Sequence, residues 1–174
     1  MPTTLTFRHA RHEDALCLGG LAIQVFFDTY ALDGMRADLA EEALNVYAPE
    51  QFRQRLADPR RILLLAEREG HLQGFAELAA SGTRPPLEQL ADGMELVRLY
   101  VQRHAQRQGI GQALLRQAEN LARGRGASCL WLCAWEGNQP ALAFYLAQGY
   151  DAVGVTSYEF GGNSYGNQVF CKAW

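Results

Sequence analysis

A chain of 174 residues with 48% hydrophobic and 20% charged positions is long enough to bury a full core and too apolar for wholesale disorder. A net charge of −3 argues against a general nucleic-acid binder, and no apolar run approaches the ~20 residues of a membrane helix. With no basic stretch before an apolar run in Met1-Pro2-Thr3-Thr4-Leu5, the expectation is one domain over 1–174, cytoplasmic, with neither a nucleic-acid nor a membrane partner.

Leu5, Phe7 and His9 alternate with Thr6 and Arg8, the period of a strand. His12-Glu13-Asp14 then opens a helix through Leu16, Leu18, Leu21, Val25 and Phe26, its early acids favoured by the helix dipole. Gly19-Gly20 predicts a kink there, and Asp33-Gly34 a turn. Residues 37–47 read as a helix, and Pro49 as the first turn of another that ends before Asp58-Pro59. The apolar run Ile62-Leu63-Leu64-Leu65-Ala66 predicts a buried strand over Arg61–Glu67, with a hairpin turn at Glu69-Gly70. His71–Ala80 is its partner, with a bulge expected at Gly74, and Ser81–Asp92 reads as a loop.

Glu95-Leu96-Val97-Arg98-Leu99-Tyr100-Val101 predicts the central strand. A loop with Gln106-Arg107-Gln108-Gly109-Ile110-Gly111 follows, and a helix over Ala113–Arg123. Glycines where a loop becomes a helix let an anion reach the backbone, whose first N–H groups have no helical partner. An isolated G-x-G also fits a plain tight turn. Neither G-x-G-x-x-G nor a Walker loop is present. Ser128–Trp135 is a further strand, Asn138-Gln139-Pro140 starts a helix ending at Gly149, and Tyr150–Phe160 and Tyr165–Lys172 close the chain as a hairpin about Gly161-Gly162-Asn163. The pattern is mixed α/β.

Cys129 and Cys133 lie four apart on one strand face, too far for an unstrained disulfide, and read as small buried hydrophobes. The histidines are scattered without ligand spacing, so no metal is expected. Residues 98–125 hold six arginines against Glu119, net +5, which leaves −8 for the remainder. Such a body suits an anionic cofactor and a cationic acceptor; Arg116, Arg123 and Arg125 read as solvated.

Q-x-x-G-x-G between strand and helix resembles motif A of the GCN5-related N-acetyltransferases, and Asn138-x-x-Ala141-x-x-Phe144-Tyr145-x-x-x-Gly149-Tyr150 resembles their motif B. Together the patches span Glu95–Tyr150. The resemblance implies a single-domain α/β acetyltransferase fold, a mixed central sheet with a splayed parallel strand pair flanked by helices. It implies acetyl-CoA as acetyl donor, with Gln106, Arg107, Gln108, Gly109, Ile110 and Gly111 at its pyrophosphate. The backbone of Leu99, Tyr100 and Val101 would pair with the pantetheine arm. Asn138 would bond the pantetheine or cap its helix, or both. Tyr145 would protonate the leaving thiolate, the alternative being a packing aromatic. Val25-Phe26-Phe27-Asp28-Thr29-Tyr30 resembles the helix end of the PaiA-like polyamine acetyltransferase branch.

The amine must lose a proton. Glu95, 14 residues before Gly109, holds the spacing of the catalytic glutamate in the histone-acetylating branch; the alternatives are an edge glutamate beside Gly93 and proton removal through water. Asp28, Tyr30 and Glu77 are further candidates for acceptor contact. The expected activity is direct attack of a primary amine on the thioester, the acceptor a small cationic amine, with a homodimer open. Rival readings are a non-catalytic acetyl-CoA-binding or sensing module, and an acetyltransferase acting on a protein or peptide amine.

Overall fold

The computed structural model describes residues 4–80 and 85–174. Strands β1 (Leu5–His9), β2 (Arg61–Arg68), β3 (His71–Ala79), β4 (Met94–Val101), β5 (Cys129–Trp135), β6 (Asp151–Phe160) and β7 (Asn163–Ala173) form one sheet in the order β1-β2-β3-β4-β5-β7-β6. The helices are α1 (Ala15–Tyr30), α2 (Ala37–Val46), α3 (Pro49–Ala57), α4 (Ile110–Gly124) and α5 (Gln139–Ala147). Local chemistry starts and ends several of these: Pro49 in the first turn of α3, Asn138 as the cap of α5, and left-handed pairs at Glu69-Gly70 and Gly161-Gly162 in the hairpins. The chain clusters into two compact units. One holds the chain up to Glu77 with Arg98–Arg116, the other Leu78–Val97 with Gln117–Trp174; β3, β4 and α4 each have residues in both.

In the first unit β1 and β2 pair antiparallel, Leu5 opposite Arg68. Leu18, Ala22 and Phe26 of α1, Leu39 and Ala43 of α2 and Phe52 of α3 are buried, as is the Ile62–Ala66 run of β2. Aromatic contacts thread this core from Phe26 to Tyr47 (5.6 Å between centroids), and from Phe75 to both Phe52 (5.9 Å) and Tyr100 (5.5 Å). Full burial of each Phe contributes about 1.5–3 kcal/mol.

In the second unit β5 pairs antiparallel with β7 along its whole length, Cys129 opposite Ala173 to Trp135 opposite Asn167. Alternation splits β5 into two faces. Leu130 and Leu132 are buried on one, and Phe170, opposite Leu132, packs 5.8 Å from the Tyr145 ring. Cys129 and Trp131 cluster with Leu90 and Val169 on the other, with Cys133 and Cys171 partly buried beside them. Glu119 of α4 is buried on the Leu130 side, accepting from Lys172 Nζ (3.0 Å), whose residue lies opposite Leu130, and from the Tyr150 hydroxyl (3.1 Å).

Some expectations change. Helix α1 runs unbroken past Gly19-Gly20; a Cβ on Gly19 would stand 2.7 Å from the Tyr47 carbonyl, so the glycine serves close packing of the end of α2, not a kink. At Gly74, where a bulge is expected, a Cβ would meet the Tyr100 carbonyl at 2.6 Å, so close backbone approach also requires a glycine there. Helix α4 begins at Ile110, three residues before the expected Ala113, so Ile110 and Gly111 belong to its first turn. In the loop expected over 81–92, residues 81–84 lie outside the described residues, and Glu88–Leu90 forms a short 3-10 turn.

Candidate functional site

Gln106–Gly111 lies in the first unit. After β4 the chain makes a 3-10 turn at Arg103–Ala105, then takes left-handed conformations at Arg107 (φ 59°) and Gly109 (φ 79°) before α4. The first helical bond runs from Ala113 N–H to Gly109 O at 2.9 Å. Among the described residues no backbone acceptor takes the N–H groups of Arg107 through Gln112. N–H groups left without backbone partners at the start of a helix suit an anion, and the dipole of α4 adds to it. A Cβ on Gly109 would meet nothing within 4 Å. These features fit a diphosphate. Gln106 Nε2 donates to Val101 O at 3.2 Å.

The neighbouring end of β4 is anchored by its alternate side chains. Arg98 Nη1 donates to Glu77 Oε2 at 2.5 Å, and its guanidinium lies 5.2 Å from the Tyr47 ring. Tyr100 and Tyr47 share a hydroxyl–hydroxyl bond of 2.9 Å. Burial works against the Arg98 charge, but the Glu77 carboxylate more than offsets it and the guanidinium titrates above its ordinary range. Burial, with Tyr47 beside it, holds the Tyr100 phenol well above its ordinary value. Leu99 and Val101 are half-buried between these anchors.

Glu77, an expected acceptor contact, has no exposed side-chain surface. Arg61 Nη1 donates to its Oε1 at 2.5 Å, and Arg55 Nε stands 3.9 Å from the same oxygen. Its carboxylate therefore faces three arginines rather than open surface. Asp28 is exposed, and half-buried Tyr30 packs its ring 4.8 Å from Phe26 at the end of α1.

Glu95, Asn138 and Tyr145 belong to the second unit. The parallel ladder of β4 and β5 joins only Met94 to Leu130 and Glu95 to Trp131. Glu95 lies opposite in parity to buried Met94 and Leu96, on the side of Trp131 and Cys133. There it lines an open cavity of about 550 Å³ with Pro85, Trp131, Cys133, Tyr158 and Asn167 among its walls. Burial, with the Glu95 carboxylate nearby, pushes the Cys133 thiol up to about 11, so it is neutral at pH 7 and a poor nucleophile.

Tyr145 is buried against Phe144, Tyr150 and Phe170. Burial alone pushes its phenol well above the ordinary value. Ala141 N–H donates to Asn138 Oδ1 at 3.3 Å, the capping bond of α5.

Sequence reasoning did not find the Arg55–Arg61–Arg98 set around Glu77, nor Trp131, Tyr158 and Asn167 beside Glu95. No local motif marks them, because their neighbours come from distant segments. Arg116, Arg123 and Arg125 are exposed as expected, Arg123 over the Trp174 ring at 4.6 Å. Among the described residues no group of His, Cys, Asp and Glu is placed to hold a metal, and no helix is long and apolar enough to cross a membrane.

The Acetyltransferase (GNAT) family model matches residues 29–150. The uncharacterized N-acetyltransferase in the pepI 3′ region of Lactobacillus delbrueckii subsp. lactis is 27% identical over 126 residues, 72% of each chain. The N-alpha-acetyltransferase RimI of Mycobacterium tuberculosis is 32% identical over 109 residues, 63% of this chain and 64% of that one. Among solved structures, the PaiA N-acetyltransferase of Thermoplasma acidophilum in complex with coenzyme A shares the fold, with a TM-score of 0.79 and 22% identity over 98% of this chain and 99% of that one.

Proposed function

Because this chain belongs to the acetyltransferase (GNAT) family and is an N-acetyltransferase, we propose that it carries the acetyl group of acetyl-CoA to a small cationic amine held in the cavity beside Glu95. The observation that carries the acceptor reading is that Glu95 lines an open cavity of about 550 Å³ together with Trp131 and Tyr158. A carboxylate with aromatic walls attracts an ammonium through charge and ring quadrupole together. The net charge of −8 outside residues 98–125 points the same way.

The cofactor supplies an activated thioester. N–H groups of Gln106–Gly111 bind its diphosphate, and the backbone of Leu99, Tyr100 and Val101, held by Arg98 and Tyr100, takes its pantetheine arm as an added strand. Asn138 orders the start of α5 and with it the segment that carries Tyr145. Glu95 accepts the proton of the incoming ammonium, directly or through water. Tyr145 stays protonated through the physiological range, because burial raises its phenol, and so holds a proton to give to the departing sulfur. Cys133, neutral at pH 7, has no part in the chemistry. We place the enzyme in the cytoplasm, with the cofactor pool.

The test is thiol release from acetyl-CoA with spermidine, free amino acids and a peptide N-terminus side by side at two salt concentrations. Spermidine should react fastest, and its rate should fall with salt, since screening at ~0.15 M cuts attraction beyond about 8 Å. Salt-insensitive preference for an anionic amino acid refutes the acceptor reading. Preference for the peptide would instead favour an α-amine acceptor, the group in the name of the N-alpha-acetyltransferase RimI relative.

A further inference from the structure

The Gln106–Gly111 loop holds Arg107 at φ 59°, a conformation that side chains with a Cβ rarely adopt and that persists only where the surroundings enforce it. Gln108 stands between Arg107 and the second left-handed residue, Gly109. Both ends of its side-chain amide are engaged. Its Nε2 donates to the His104 carbonyl at 2.9 Å, at the start of the loop, and its Oε1 accepts from Arg68 Nη1 at 2.8 Å. Arg68 is the last residue of β2, held in register opposite Leu5 of β1. Gln108 is thus a strut between its own loop and a paired strand 40 residues earlier in the chain.

Arg68 is itself costly to keep. Its Nε is buried with no hydrogen-bond partner, and an unsatisfied buried donor calls for an explanation beyond packing. A shorter or neutral side chain at the edge of β2 would remove that cost. What it would lose is the planar guanidinium whose far nitrogen reaches Gln108.

We propose that Arg68 is a positioning residue for the cofactor, acting through Gln108 to hold the diphosphate loop in its left-handed form. The inference rests on the reading of Gln106–Gly111 as the diphosphate site. Without the strut Arg107 relaxes toward negative φ, and the N–H groups of Arg107 through Gln112 no longer converge. Acetyl-CoA affinity falls, while the groups that move protons stay as they are.

Calorimetry with acetyl-CoA and with its 3′-dephospho form, on Arg68→Ala, Arg68→Lys, Gln108→Ala and the double Ala variant, tests this, with thermal melts checking that each is folded. Arg68→Ala and Gln108→Ala should each weaken both ligands by about fivefold, the equivalent of one net hydrogen bond. The double variant should lose no more than either single, and Arg68→Lys, which keeps a donor but not the planar guanidinium, should recover only part of the loss. In steady state KM for acetyl-CoA should rise with kcat and the amine KM unchanged. Additive losses, or unchanged affinity in exposed Gln108→Ala, overturn the proposal. A loss confined to the 3′-phosphorylated ligand does so too, by making Arg68 a direct phosphate contact. Gly109→Asp serves as the control for the loop itself: if that variant binds acetyl-CoA as the wild type does, the diphosphate reading fails first, independently of Arg68.

Discussion

Replacing Glu77 by Gln separates two roles for one carboxylate. Glu77 has 0% of its side chain exposed, Arg98 has 15% and Arg61 27%. The variant keeps the shape and removes the charge, leaving the Arg98 guanidinium buried without its counter-ion. Breaking a buried pair in this way costs about 3–5 kcal/mol. For a chain of this size each kcal/mol moves Tm by ~2–4 °C, so the fall should be roughly 6–20 °C. Arg61 is better hydrated, so Arg61→Ala should cost only ~1 kcal/mol. The assays are thermal melts of Glu77→Gln and Arg61→Ala, with the amine KM measured well below both transitions. If Glu77 braces β4, the melt moves and the amine KM stays within about twofold, a change smaller than one hydrogen bond. An unchanged Tm with a raised amine KM would refute this reasoning and return Glu77 to the acceptor site.

Tyr145→Phe keeps the ring contacts with Tyr150 and Phe170 and removes only the hydroxyl; kcat should fall on the order of 10²-fold with acetyl-CoA affinity unchanged, and wild-type turnover would leave Tyr145 a packing residue. The same phenol makes stability depend on alkaline pH. Its folded value lies above the 10.0 of the free side chain, so its share of stability is complete below about pH 10 and is lost as pH rises through the folded value. Denaturant melts across that range should show a shallower decline in Tyr145→Phe than in wild type. Gly109→Asp, at φ 79° with nothing within 4 Å of its Cβ, should fold and lose acetyl-CoA, because its carboxylate meets the diphosphate; calorimetry showing unchanged affinity would remove the loop assignment.

What the sequence determined by itself is what short-range physics decides. Residues close along the chain set the start of α3 at Pro49, the cap of α5 at Asn138 and the hairpin turns at Glu69-Gly70 and Gly161-Gly162. Each depends on backbone angles or on one bond within a turn. Motif A and motif B were legible for the same reason, since the loop at Gln106–Gly111 and the helix carrying Tyr145 each use contiguous residues. Gly19 and Gly74 each stand close to a carbonyl from elsewhere, Tyr47 and Tyr100, an approach that no local pattern reveals. Only the tertiary structure decided that Glu77 lies inside between Arg61 and Arg98, that Glu95 shares a cavity with Trp131 and Tyr158, and that Arg68 reaches Gln108. Charge and burial depend on which distant strands are brought within a few ångströms, and that follows from sheet order and register, which alternation along one strand cannot specify.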